Sequence, residues 1–178
     1  MPKTAAGKAT DRQQSKLSES ISKDNTATSD VVEHLQQQVA NAFVLYANYK
    51  HYHWQTFGPL FRDLHLLFDE FAVAVLATID DFAERLRMIG QDPVFRPDEI
   101  ENTATVQVSR DAGTMREMIA EADANLLTVI REMRVAARVA DEHDDPGTVD
   151  LFSRHVQLHE KHEWWLRDIL ERNDGLTA

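Results

Sequence analysis

The chain of 178 residues contains no cysteine. Disulfides, thiolate metal sites and cysteine nucleophiles are therefore excluded, and any bound metal must be held by nitrogen and oxygen. The absence fits a reducing compartment. No run of 18 apolar residues occurs, so no transmembrane helix is expected. The first residues lack the apolar stretch of a secretory signal. Glycine-rich phosphate loops, nucleophile elbows and the His-Glu-x-x-His zinc pattern are also missing. No glutamate has histidine three residues on, the arrangement by which a four-helix bundle holds two iron ions within itself. Positive charge is scarce, with 19 Lys and Arg against 30 Asp and Glu, a net charge of -11. Such a balance argues against a folded surface that grips DNA by itself and is compatible with attracting cations.

The charge is unevenly spread. Residues 1–28 are rich in Ser, Thr, Ala, Lys and Gln, with almost no large apolar side chains, and read as a disordered tail. Lys3, Lys8, Arg12, Lys16 and Lys23 stand there against Asp11, Glu19 and Asp24, a net of +2 that leaves -13 for the rest. The tail reads either as a solubilising segment or as a mobile basic arm for phosphate backbones. Residues 29–178 are long enough for one domain with a real core.

Apolar residues in that domain recur at helical steps of three and four. A first helix is expected from a capping box at Asp30 and Glu33 to about residue 56, with Val32, Leu35, Val39, Ala42, Tyr46, Tyr49 and His53 inward. A second spans about 59–88, with Pro59 suited to its first position and Gly90 to its end. A long connection follows, with a short helix expected at Pro97–Asn102. A third helix is expected from about Asp111 to Glu142, and a fourth from an Asp145 cap and Pro146 to about Arg172. The fourth has two apolar stripes, one through Phe152, Val156 and Leu166 and one through Leu151, Leu158 and Trp165. A helix apolar on two sides has more to bury against than its own bundle. These elements predict an all-α, ferritin-like four-helix bundle with a long middle connection.

The second helix carries the chemistry. His65, Asp69, Asp80 and Glu84 fall in one stripe, because Asp69 and Asp80 are very nearly three turns apart. That separation is roughly 16 Å at about 1.5 Å per residue, too far to enclose one metal. The two pairs are therefore halves of different sites. Two copies of the helix crossing antiparallel, about an axis between Ala74 and Val75, would set His65 against Glu84 and Asp69 against Asp80. Residues 72–77 at that crossing are small and apolar. Carboxylate and imidazole ligands with open positions suit Fe(II) and tolerate Fe(III).

Residues 50–70 read K-H-Y-H-W-Q-T-F-G-P-L-F-R-D-L-H-L-L-F-D-E. This stretch resembles the signature of the Dps family, the mini-ferritins that protect DNA during starvation. Lys50, His53, Trp54, Gly58, Pro59, Phe61, Leu64, His65, Asp69, Glu70, Asp80, Glu84 and Arg85 stand at the family's places, and His159, Glu160, Lys161 and Trp164 match in the fourth helix. The resemblance covers about residues 30–172. It implies a hollow homo-dodecamer with ferroxidase sites at its two-fold interfaces, built by His53, His65 and Asp69 of one chain and Asp80 and Glu84 of its partner. It implies oxidation of Fe(II), preferentially with hydrogen peroxide, storage of ferric mineral, a di-iron site in which zinc could substitute, and a cytoplasmic location, associated with the nucleoid in some members. Trp54 resembles the family's tryptophan beside the site, read either as an interceptor of stray oxidants or as packing. Asp145 and Asp150 are candidates for an iron-entry pore, or ordinary helix-start acids. His51, His155, His159 and His162 exceed the family pattern and stand between structural roles and an extra metal site. A DNA-binding assembly with secondary iron chemistry, and a zinc-binding shell without redox activity, are the competing readings.

Overall fold

The computed structural model describes residues 28–110 and 113–171, so the expected tail lies outside the described residues up to Thr28. Five helices and no strand occur among the described residues: α1 (Ser29–Gln55), α2 (Phe61–Met88), α3 (Pro97–Thr103), α4 (Met115–Glu142) and α5 (Pro146–Leu170). α1 pairs with α2 and α4 with α5. The two hairpins meet mainly through α1 and α4, across a thinner seam between α2 and α5, and α3 lies on α1. This is the expected four-helix bundle with its long connection. Its core gathers Leu35, Tyr49, Tyr52, Phe68, Phe71, Phe82, Leu126 and Phe152, all fully buried.

Local chemistry explains the helix ends, including those that differ from expectation. α1 opens at Ser29 with Thr28 in the cap position, and no side-chain capping bond forms, so the Asp30–Glu33 box is absent. The box belongs to α4 instead. The Thr114 hydroxyl accepts from the Glu117 N–H at 3.2 Å, and Glu117 Oε2 accepts from the Thr114 N–H at 2.7 Å. That reciprocal pair starts α4 at Met115 rather than near Asp111. Pro59 sits in the turn before α2 rather than in its first position. The turn is closed by Phe61 N–H donating to Gly58 O at 3.1 Å, with Gly58 at φ +81°. After α2, the Gln91 N–H reaches Leu86 O and the Gly90 N–H reaches Arg87 O, at 2.9 and 3.1 Å, with Gly90 left-handed. α4 ends the same way, but Asp144 takes the left-handed place at φ 53°. Aspartate tolerates that region less well than glycine. Asp144→Gly is expected to stabilise the fold by about 0.5–1 kcal/mol, read as a higher midpoint in denaturant; an unchanged or lower midpoint contradicts the account.

α1 buries polar residues that periodicity did not single out. Asn41 Oδ1 accepts from Thr105 N at 2.8 Å. Asn48 donates to Gln107 O at 2.7 Å and accepts from Ser109 N at 2.9 Å, while Asn125 of α4 bonds both the N–H and the C=O of Gln107. The extended connection has no ladder of its own, and these amides satisfy its backbone against the bundle. At the start of α1 it is Val31 rather than Val32 that is fully buried.

Candidate metal centre

The short turn at 56–60 lays the last turn of α1 against the first turns of α2. His53 and His65 stack there with ring centroids 3.7 Å apart at 22°. Each ring is held by the other residue's backbone: His53 Nδ1 lies 2.7 Å from His65 O, and His65 Nδ1 lies 2.8 Å from His53 O. A carbonyl oxygen only accepts, so both Nδ1 atoms carry the hydrogen. In its neutral form each imidazole is left with a lone pair on Nε2, the nitrogen that could bind a metal. The His53 carbonyl belongs to the last turn of α1, where it has no partner within the helix. It accepts from the Thr56 hydroxyl at 3.0 Å as well as from His65.

Asp69 stands one turn beyond His65, half-buried. Lys50 of α1 donates to its Oδ1 at 2.7 Å. That hydrogen bond holds the Asp69 carboxyl below the usual carboxylate range. Desolvation opposes the shift, and the charge of Lys50 assists it, as do those of His53 and His65 whenever these rings are protonated. Asp69 is thus kept ionised beside two imidazoles that present lone pairs. The position of Lys50 was visible in the sequence, but its role was not, because it depends on α1 crossing over α2.

Asp80 and Glu84 are exposed, and no hydrogen bond or ion pair engages either among the described residues. They lie further along the stripe, and the single chain does not bring them to His53, His65 and Asp69. Among the described residues no group of three or more His, Asp or Glu side chains is arranged to hold a metal. Between the two sets the stripe is apolar and open, with Val73 66% and Leu76 50% exposed and Ala77 beside them. Ala72 and Val75 turn into the chain's own core instead.

The remaining candidates separate clearly. Trp54 is 68% exposed, so it does not serve as core packing in this chain, and the Lys50 ammonium lies 6.0 Å from its ring. His51 points away from the pair, since two residues turn a helix by about 200°. Its Nε2 is buried without a partner. Asp145 caps α5, accepting from Thr148 N at 3.0 Å and from the Thr148 hydroxyl at 2.6 Å, and it pairs with Arg85 at 2.6 Å. Its carboxylate anchors α5 to α2, which bears out the helix-start reading of Asp145. Asp150 is exposed, with Arg154 at 3.4 Å. His155, His159 and His162 are buried on the face of α5 that meets α2.

Residues 32–175 match the family model described as a ferritin-like domain. Over 142 residues the chain is 34% identical to DNA protection during starvation protein 1 of Deinococcus radiodurans, covering 79% of this chain and 69% of that protein. The chain belongs to the Dps family of ferritin-like proteins. Its fold is similar to that of Dps from Thermosynechococcus elongatus, with a TM-score of 0.80, 48% identity, and 83% and 94% of the two chains covered. It is also similar to a Dps protein of Vibrio cholerae, described as a member of a broad superfamily of ferritin-like diiron-carboxylate proteins. That match has a TM-score of 0.78 and 25% identity, and covers 84% and 92% of the chains.

Proposed function

We propose that this Dps-family chain takes up Fe(II) as its substrate, oxidises it with hydrogen peroxide at sites shared between two copies, and retains the ferric product in a hollow dodecamer. His53, His65 and Asp69 of one copy would bind the iron together with Asp80 and Glu84 of the other. The observation that carries this reading is the reciprocal hold on the two histidines. It fixes both imidazoles in the tautomer that presents Nε2, next to a carboxylate kept ionised by Lys50. Oxygen-rich ligation favours the ferric state and so favours oxidation. In the balanced step two Fe(II) each give one electron to one peroxide. Its O–O bond breaks, and two hydroxide ions form. Both reactants of hydroxyl-radical chemistry are consumed together, which would protect nearby DNA as the name of the Deinococcus relative describes for that protein.

The alternative of direct DNA contact depends on the basic residues of the 1–28 tail. The body's charge of -13 opposes it. Iron removal is the reading that the described residues support.

The test is anaerobic loading with Fe(II), followed by peroxide, with ferric absorbance recorded. About two Fe(II) should be oxidised per peroxide. His53→Ala combined with His65→Ala should cut iron affinity or oxidation rate by about 10- to 100-fold or more. A variant that oxidises iron at the wild-type rate would remove these residues from the mechanism. Faster oxidation by dioxygen than by peroxide would overturn the preferred oxidant alone.

A further inference from the structure

Three histidines that the metal centre does not use form the buried row of α5. His155, His159 and His162 are 6%, 1% and 2% exposed. Their spacing of four and three puts them on one face. That face meets α2, where His162 stacks on Phe71 at 3.9 Å and 15°, and His155 lies 4.7 Å from the Phe82 ring. The Nδ1 atoms of His159 and His162 are buried with no hydrogen-bond partner. His155 Nε2 comes within 3.1 Å of Asp81 Oδ2 without the alignment of a hydrogen bond. The row sits on the thinner seam between the two hairpins.

We propose that this row is an acid-operated hinge, in which protonation of His159 and His162 parts α5 from α2 while both hairpins stay helical. A neutral imidazole tolerates burial among aromatic rings with one nitrogen unpaired. A charged one does not, because nothing there replaces its water. Burial is the first cause that lowers His159 to about 3 and His162 to about 4. His162 and then His155 add to the effect on His159, and Lys161 adds to that on His162. His155 is lowered by burial too. Asp81 pulls it back up and Arg154 pushes it down.

The folded pKa values are depressed, so the opened state binds more protons below the ordinary value of 6.5. Seam stability is therefore intact above that value and is lost as pH falls from it toward the folded values. Other charged groups facing this part of α5 do not reverse the sign. On α4, Asp123 faces Glu163 and Arg167, and burial followed by Glu163 raises its carboxyl. It gains a proton in the closed state and so resists opening, but a carboxylate acts at the acid end of the window. Arg134 pairs with Glu160, and Arg116 donates to Leu170 O at 3.1 Å, both tying α5 to α4. On α1, burial and Asp123 raise the Tyr49 hydroxyl, which keeps it neutral throughout. The α4–α5 hairpin is thus held while the α2–α5 seam carries the cost. Because α2 bears His65, Asp69, Asp80 and Glu84, opening this seam couples acidity to the shape of the metal centre and of the exposed stripe.

Hydrogen–deuterium exchange of the intact full-length protein between pH 7 and pH 4, corrected for intrinsic rates, tests the hinge. Peptides within 71–86 and 148–166 should lose protection at higher pH than peptides within 31–49. With two protons taken up, the opening constant should rise by up to about 100-fold per pH unit. H159Q combined with H162F, which keeps a ring against Phe71, should flatten that dependence. H143Q, at an exposed position, should leave it unchanged. Should the double variant fail to fold, the wild-type slope decides. A slope below one proton, or simultaneous loss of protection in α1 and α5, overturns the proposal.

Discussion

A one-to-one mixture of two inactive variants is expected to regain Fe(II) oxidation. The first variant carries His65→Ala and Asp69→Ala, and the second carries Asp80→Ala and Glu84→Ala. Each alone leaves every site without two of its five proposed ligands, so each should fall by about 100-fold or more. In a two-fold interface between unlike copies, one site collects all four mutations and the other collects none. Random assembly makes half of the interfaces mixed, so about a quarter of the sites should be intact. The physical basis is axial distance. Asp69 and Asp80 lie roughly 16 Å apart on one rigid helix, and no bending of α2 brings them to one ion. Recovery near a quarter, with the two variants shown by mass spectrometry to share assemblies, supports two-chain sites. Verified mixed assemblies with no recovery would refute them.

Leu76→Glu is expected to break the assembly while leaving the helices formed. Leu76 is 50% exposed in the single chain, between exposed Val73 and Ala77, and takes no part in the buried core. An antiparallel crossing about the midpoint of Ala74 and Val75 sets Leu76 against Val73 of the other copy. A glutamate there would be desolvated with no cation to meet it, which costs about 3–5 kcal/mol. That weakens the contact by roughly 100- to 1,000-fold or more, at about 1.4 kcal/mol per factor of ten. Leu76→Ala removes only apolar burial, about 1.5–3 kcal/mol at most, and should weaken the contact less. Sedimentation velocity with far-UV circular dichroism separates the outcomes. A small species with unchanged helicity is expected for Leu76→Glu. Wild-type sedimentation would show that the exposed stripe is not a contact.

Much of the fold was legible because helix signals are local. The α5 start at Asp145 and Pro146 and the α2 stop at Gly90 rest on residues within one turn of the helix end. The α4 start was misplaced because two acceptable openings lay within four residues, and only the Thr114–Glu117 reciprocity selects one. The two apolar stripes of α5 reach the core through Leu151, Phe152 and Leu166, but between Phe152 and Leu166 the buried positions are His155, His159 and His162. Those positions escaped the periodicity because an imidazole reads as polar in a sequence whether or not aromatic rings surround it.

The sequence by itself determined the types of the candidate ligands, the stripe that four of them share along α2, and the impossibility of closing a site within one helix. Those follow from residue identity and from the constant rise of an α-helix, which need no neighbour. Only the tertiary structure decided which nitrogen each histidine offers, that Lys50 keeps Asp69 ionised, and that Asp145 serves as an anchor for Arg85. Each of those depends on atoms from two helices meeting within about 3 Å, and the packing of the bundle, not spacing along the chain, sets which atoms meet.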